Sequence, residues 1–261
     1  MPEEICKTDP FEAHRMAPGV ILVRITAKPF GVFTIEARRQ LTAFLENVAS
    51  AHGARAVVLT GTGASFSAGS NIREFEATPA WIEEARRVET RLNETIERGP
   101  VPVIAACNGH TLGGGCVLAL ACDFRIAAQS ATFGVPEVKL GAMPTATGTM
   151  RLPQLVGRGQ ALRLILTGQP IDAAEALRIG LIEELVDDDR LEARALELAA
   201  QIAAVSPRAV ATARRSVAAG LRLGYQAGLL MEEELTVPLG LSDDAIEGKA
   251  AFVEKRPPRF G

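Results

Sequence analysis

Apolar residues follow two rhythms along this chain of 261 residues. The first is the short unbroken run. GVILVRIT at 19–26, AVVLT at 56–60 and PVIAAC at 102–107 are bounded by glycine, proline or polar residues. Runs this short and this rich in branched side chains predict strands buried on both faces. The second rhythm repeats every three or four residues. Ile35, Leu41, Phe44, Leu45 and Val48 predict a helix that Thr34 can cap and that ends near Ala51. A charged amphipathic helix is predicted over roughly Trp81 to Glu97. Short strands follow near 124–127 and 131–133. From about Thr147 the pattern is helical, with segments near 147–156, 158–167, 173–179, 189–204, 207–220, 225–236 and 242–254, punctuated by Pro170, Pro207 and Pro238. Residues 1–15 read as a loose arm. Alternation of strand and helix followed by a helical third predicts an α/β protein with parallel strands.

Composition narrows the function classes. Hydrophobic residues make up 48% and charged residues 23%, which suits one large globular domain or one domain with an appendage. The net charge of −3 and the lack of a basic stripe argue against a nucleic-acid partner. The runs Arg86-Arg87 and Arg214-Arg215 read as solvated helix faces. Cys6, Cys107, Cys116 and Cys122 form no CxxC, and His14, His52 and His110 are scattered, so no metal site is expected. Three of the cysteines lie in apolar runs and read as buried thiols. The first residues, MPEEICKTDPFEAH, are polar, and no apolar run spans a membrane, so a cytoplasmic protein is expected.

Three segments are unusual enough to carry chemistry. Phe66-Ser67-Ala68-Gly69-Ser70-Asn71-Ile72 follows a buried strand, and its small residues let a backbone approach a ligand closely. It lacks the GK[ST] ending of a P-loop and the GxGxxG of a dinucleotide site. Asn108-Gly109-His110-Thr111-Leu112-Gly113-Gly114-Gly115 opens the apolar helix CVLALAC. Each glycine costs about 1 kcal/mol in a helix interior. Three at a helix start point either to tight packing or to a ligand drawn by free N–H groups and the helix dipole. In the third, Phe133 to Gly141, Glu137 stands among apolar residues behind Pro136. It reads either as an exposed partner of Lys139 or as a proton-transferring carboxylate. There is no Ser/His/Asp arrangement and no GxSxG elbow. His110 reads as structural or solvent-facing.

At these segments the chain resembles the crotonase family, the enoyl-CoA hydratase/isomerase group. AVVLTGTGASFSAGSNI is similar to the family's first oxyanion loop, and VPVIAACNGHTLGGGCVLALACDFRIA to its second loop and following helix. ATFGVPEVKLGAMP, TMRLPQLVGRGQALRLILTGQPI, AAEALRIGLIEELV and AFVEKRPPRF continue the likeness in the same order, from about residue 19 to 260. The resemblance implies a spiral of ββα units over residues 1–195 and a helical trimerisation region over 196–261. It implies homotrimers or dimers of trimers, an acyl-CoA substrate, and no cofactor beyond the coenzyme A of that substrate.

It also implies site residues. The amides of Ser70 and Gly114 would hold the thioester oxygen, with Ala68, Asn71 and Ile72 lining the same loop. Glu137 matches one of the two glutamates of the hydratases. The other position is Val117 here, which can neither hold water by charge nor move a proton. Pro144-Thr145-Ala146-Thr147-Gly148-Thr149 departs from a commoner Pro-Gly-Ala-Gly-Gly-Thr, so Thr145 is counted with the substrate-binding residues. Arg73, Phe252 and Lys255 match positions near coenzyme A, the last two reaching a neighbouring subunit. A single acid/base suits double-bond isomerisation. Hydration by Glu137 alone, a non-catalytic acyl-CoA-binding protein, and thioester hydrolysis or C–C cleavage are the alternatives.

Overall fold

The computed structural model describes residues 2–261. Its elements run β1 (Glu3–Lys7), β2 (Phe11–Ala17), β3 (Val20–Ile25), β4 (Val32–Phe33), α1 (Ile35–His52), β5 (Ala56–Gly61), β6 (Ser65–Ser67), β7 (Gly69–Ser70), α2 (Pro79–Arg98), β8 (Val103–Cys107), β9 (His110–Leu112), α3 (Gly114–Ala121), β10 (Phe124–Ala128) and β11 (Thr132–Gly134). Then come α4 (Gly148–Thr167), β12 (Ile171–Asp172), α5 (Ala173–Arg178), β13 (Glu184–Val186), α6 (Leu191–Ala203), α7 (Pro207–Leu223), α8 (Tyr225–Gly240) and α9 (Asp243–Glu254). The apolar runs became the central strands β3, β5 and β8 for the reason their composition suggests. Alternate residues point to opposite faces, and both faces are covered. Val57 and Leu59 enter the main core, whereas Ala56 and Val58 meet α6 on the other side.

The strands form a seven-stranded sheet in the order β1-β2-β3-β5-β8-β10-β13, a four-stranded sheet β12-β11-β9-β6, and the pair β4-β7. From β3 to β13 the large sheet is parallel. Its strands β5, β8 and β10 are each followed within a few residues by a short strand of the small sheet, β6, β9 and β11, and then by a helix. This is the spiral of ββα units expected from the resemblance.

Helix starts follow local chemistry. The Thr34 hydroxyl accepts the Ala37 N–H at 3.0 Å, and the Thr78 hydroxyl accepts that of Trp81 at 3.3 Å, ahead of Pro79 in the first turn of α2. The two helical segments predicted over 147–167 are one element broken at Gly157, whose φ of 74° no helix continues through.

Several expectations need correction. Residues 3–17 are no loose arm: β1 and β2 pair antiparallel, and β2 continues the large sheet against β3. Phe11 and Ala13 are buried between outward polar residues, the period-2 pattern of an edge hairpin. The loop 61–71 contains β6 and β7. The division at 195/196 falls inside α6, where Leu191, Ala195, Ala199 and Ala203 share one face, packed on the large sheet. Beyond it, α7 and α8 carry many exposed apolar side chains, among them Val217, Leu221, Leu223, Leu230 and Val237. No helix among the described residues is long and apolar enough to cross a membrane.

Candidate active site

The three unusual segments follow the three parallel strands of the small sheet. β6 leads into Ala68–Ser70, β9 into Gly113–Gly114, and β11 into Pro136–Glu137. Parallel strands in register end on one edge, the usual location of a site in such sheets. Sequence segments some twenty to seventy residues apart are thereby brought together.

The first two touch through backbone. Gly69 has φ 93°, and a Cβ built on it would lie 2.7 Å from the Gly114 nitrogen and 3.1 Å from the Leu112 carbonyl oxygen. Only glycine satisfies both the conformation and the approach. Ser70, next in line, pairs with Phe33 across β4-β7, and the following amide, Asn71 N–H, donates to the Phe33 carbonyl at 2.8 Å. Successive amides of an extended chain point to opposite edges, so the Ser70 N–H faces away from β4. Gly114 is the first residue of α3, and its N–H has no partner within the helix. Gly115 lies so close to the Ser67 backbone that no side chain fits there. Tight packing and a free amide are thus both properties of this turn.

Glu137 sits in a 3-10 turn, Pro136–Leu140. A Cβ on Gly113 would be 3.5 Å from its Oε1 and 3.7 Å from the Ala68 carbonyl oxygen, so the carboxylate lies beside the Gly113 turn, which itself adjoins the first loop. Its Oε2 is buried without a hydrogen-bond partner. It forms no ion pair with Lys139, whose methylenes run instead along Gly168. Burial raises the Glu137 carboxyl above its ordinary range, its own backbone amide opposes this, and the negative charge of Glu89 raises it further.

Glu89 and Arg38 are the residues that sequence reasoning missed. Arg38, on α1, is about 5% exposed; its Nη2 donates to Ser70 Oγ at 3.1 Å and to Glu89 Oε1 at 3.1 Å, and its Nη1 donates to the Phe33 carbonyl at 3.3 Å. The Glu89 side chain, on α2, is only 13% exposed. A Cβ on Gly114 would fall 2.5 Å from Glu89 Oε1 and 2.9 Å from Arg38 Nη2. The signal was available: each charge stands on a stripe of buried residues, Arg38 with Ala37, Leu41 and Leu45, and Glu89 with Val88, Leu92 and Asn93.

The other predicted residues are distributed unevenly. Val117 is 1% exposed, with its Cγ2 2.7 Å from where a Gly148 Cβ would be, and so belongs to the core between α3 and α4. Thr145 is half-buried, and its carbonyl accepts the Gly148 N–H at 2.9 Å. Thr147 takes the left-handed conformation at φ 76°, where commoner family sequences have glycine, and its hydroxyl accepts from Arg151. Asn71 caps the short turn Ile72–Glu74, its Oδ1 accepting the Arg73 N–H at 3.2 Å, while Ile72 and Arg73 are exposed. Phe252 is 85% exposed, Lys255 is also exposed, and both lie at the end of α9.

Cys107, Cys116 and Cys122 are buried and free; burial pushes the first two thiols up to about 12 and the third higher still. His110 is exposed, its Nδ1 2.9 Å from Thr132 Oγ1. No cluster of three or more His, Cys, Asp or Glu among the described residues could hold a metal.

Comparison with known proteins agrees with the geometry. The family model described as enoyl-CoA hydratase/isomerase matches residues 15–261. A Bacillus subtilis protein named "Probable enoyl-CoA hydratase" is 36% identical over 244 residues, covering 92% of this chain and 95% of its own. The 2,3-dehydroadipyl-CoA hydratase of Escherichia coli is 36% identical over 223 residues, 85% of this chain and 86% of its own. The crystal structure of an enoyl-CoA hydratase from Bacillus anthracis superposes with a TM-score of 0.91 at 36% identity, covering 96% of this chain and 98% of that one. With the three loops converging as the resemblance required, the chain belongs to the enoyl-CoA hydratase/isomerase family, with its crotonase spiral and its acyl-CoA substrates.

Proposed function

We propose that the amides of Ser70 and Gly114 hold the thioester oxygen of an enoyl-CoA, and that Glu137 moves a proton on the enolate so formed. The observation that carries this reading is the Glu137 carboxyl, set beside Gly113 with its Oε2 buried and unpartnered. A carboxyl with one oxygen buried and no cation paired to it has a raised proton affinity, suited to taking a proton from carbon and returning it. The start of α3 adds its dipole to the oxyanion site, and each such donor contributes about 2.7–4 kcal/mol to the transition state.

These three groups suffice for double-bond isomerisation. In its ionised form Glu137 takes the α-proton of a 3-enoyl-CoA, the electron pair spreads onto the thioester oxygen held by the two amides, and the same carboxyl returns the proton at the γ-carbon; addition of water to a 2-enoyl-CoA would instead start from its protonated form. The ligand's coenzyme A would run past Arg73, and Phe252 and Lys255 would serve a neighbouring subunit. The exposed apolar side chains of α7 and α8 support a homotrimer or a dimer of trimers. The test is Glu137→Gln with 3-enoyl-CoA and 2-enoyl-CoA substrates. Turnover should fall by about 10²–10⁴-fold, with acyl-CoA binding retained in calorimetry. A variant as active as the parent would exclude Glu137 as the proton carrier.

A further inference from the structure

We propose that Glu89 is a second proton-transferring carboxylate of this site, the group that takes a proton from water when water adds to a 2-enoyl-CoA. The proposal rests on the reading of Ser70, Gly114 and Glu137 given above and adds to it. Addition of water needs a group to receive the water's proton as well as one to protonate carbon. Val117 cannot be that group, since it is an aliphatic side chain packed on Gly148 in the core. Glu89 reaches the site from another element. Its Oε1 lies against Gly114, the residue whose amide would hold the thioester oxygen. Glu137 Oε1 lies against the adjacent Gly113. Given the 3.8 Å spacing of neighbouring Cα atoms, the two carboxylate oxygens are no more than about 13 Å apart.

The placement of Glu89 is rigid. Val88 and Leu92 bury the adjoining face of α2, and one turn on, Asn93 donates through Nδ2 to the Ala146 carbonyl at 3.1 Å. Arg38 holds the Glu89 carboxylate at 3.1 Å and bonds Ser70 Oγ with the same nitrogen. Glu89 is thus joined to the first loop through Arg38 and touches the second directly.

The two carboxylates occupy opposite environments. Glu89 has a cation beside it, whereas Glu137 has an unpartnered oxygen and feels the Glu89 charge as a repulsion. On this geometry the ion-paired Glu89 is taken as the base and Glu137, with its unpartnered oxygen, as the acid. The water oxygen bonds to the β-carbon as one of its protons passes to Glu89. The displaced π-electrons move through the α-carbon to the thioester oxygen, forming the enolate. The enolate then takes the Glu137 proton at the α-carbon. One water has been added, Glu89 is protonated and Glu137 is ionised. Transfer of the proton from Glu89 back to Glu137 through solvent restores the starting state.

The experiment measures hydration of a 2-enoyl-CoA and isomerisation of a 3-enoyl-CoA side by side. In Glu89→Gln the amide oxygen can still accept from Arg38 but cannot take a proton. Hydration kcat should fall by about 10²–10⁴-fold, while isomerisation falls less than tenfold; Glu137→Gln should lose both. Glu89→Asp, which keeps a carboxylate on a shorter arm, should hydrate measurably faster than Glu89→Gln. Equal losses of the two activities in a Glu89→Gln protein of native circular dichroism would overturn the proposal in favour of a purely positional ion pair. So would unimpaired hydration, or a Glu89→Asp protein that isomerises yet hydrates no faster than Glu89→Gln. A parent enzyme that isomerises without hydrating would overturn it alone. A parent with neither activity would overturn the Glu137 reading with it.

Discussion

Replacing Glu137 by Gln should stabilise the protein at neutral pH while disabling it. The side chain keeps its shape, but the charge that burial disfavours is gone. A buried polar atom without a partner costs about 1–3 kcal/mol, and more when charged. The Gln amide inherits part of that cost, since Oε2 of Glu137 has no donor nearby to satisfy its replacement. The net gain should therefore be on the order of 1 kcal/mol, or about 2–4 °C in Tm for a chain of this size. The sign with pH follows from the direction of the shift. A carboxyl whose folded pKa is raised contributes stability that is fully present below its unfolded value and is lost as pH rises through the folded value. The difference in Tm between variant and parent should therefore be small near pH 4.5 and grow toward pH 8. Scanning calorimetry across that range reads it directly. A variant less stable than the parent at pH 8, or a difference independent of pH, would show that Glu137 is ionised in the folded protein without penalty.

Two further substitutions test the frame around it. Gly69→Ala places a Cβ 2.7 Å from the Gly114 nitrogen at φ 93°, so it adds about 1–2 kcal/mol of backbone strain and pushes the two loops apart. kcat/KM for an enoyl-CoA should fall at least 10²-fold, and a smaller loss would mean that the loops need not touch. Arg125, 4% exposed, donates to the Leu181 carbonyl at 2.9 Å and the Cys122 carbonyl at 2.8 Å and pairs with Glu183. Arg125→Ala strips both carbonyls of their donor and should cost about 2–4 kcal/mol in a urea melt. A cost below 1 kcal/mol would show that water replaces the guanidinium.

Features that a short segment contains were legible in the sequence. The central strands announced themselves because burial on both faces makes each one an unbroken apolar run, and Thr34 marked the start of α1 because the cap lies three residues from the amide it accepts. The glycine turns could be located but not interpreted from residues alone. Three glycines before an apolar helix suit tight packing as well as a ligand, and both are present, in Gly115 against Ser67 and in the free amide of Gly114. The strands β6, β7 and β12 were missed because two or three residues cannot display a period. The hairpin β1-β2 was missed because its outward positions carry charges, and the polar count hid the alternation of Phe11 and Ala13. Arg38 and Glu89 lie 51 residues apart, and no local pattern couples them; only packing of α1 against α2 sets the pair beside Ser70 and Gly114.

That pair also bears on why Val117 is tolerated. A carboxylate at position 117 would stand in the core where Val117 packs against Gly148, and burying it there would be costly without a donor. A carboxylate at position 89 comes with its own counter-ion, and Arg38 in turn is satisfied by Ser70 Oγ and the Phe33 carbonyl. Burial of charge is costly unless every donor and acceptor is used, and this pair meets that condition far better than an isolated glutamate on α3 would. The same network couples the charge to the loop that presents the Ser70 amide. Moving the second carboxylate from α3 to α2 would therefore keep charge beside the substrate while leaving α3 wholly apolar, as its sequence from Cys116 to Ala121 is. On this view a family member is read incompletely when only the positions of its motif are inspected, because an ion pair held between two other helices can place the same chemical group against the same glycines.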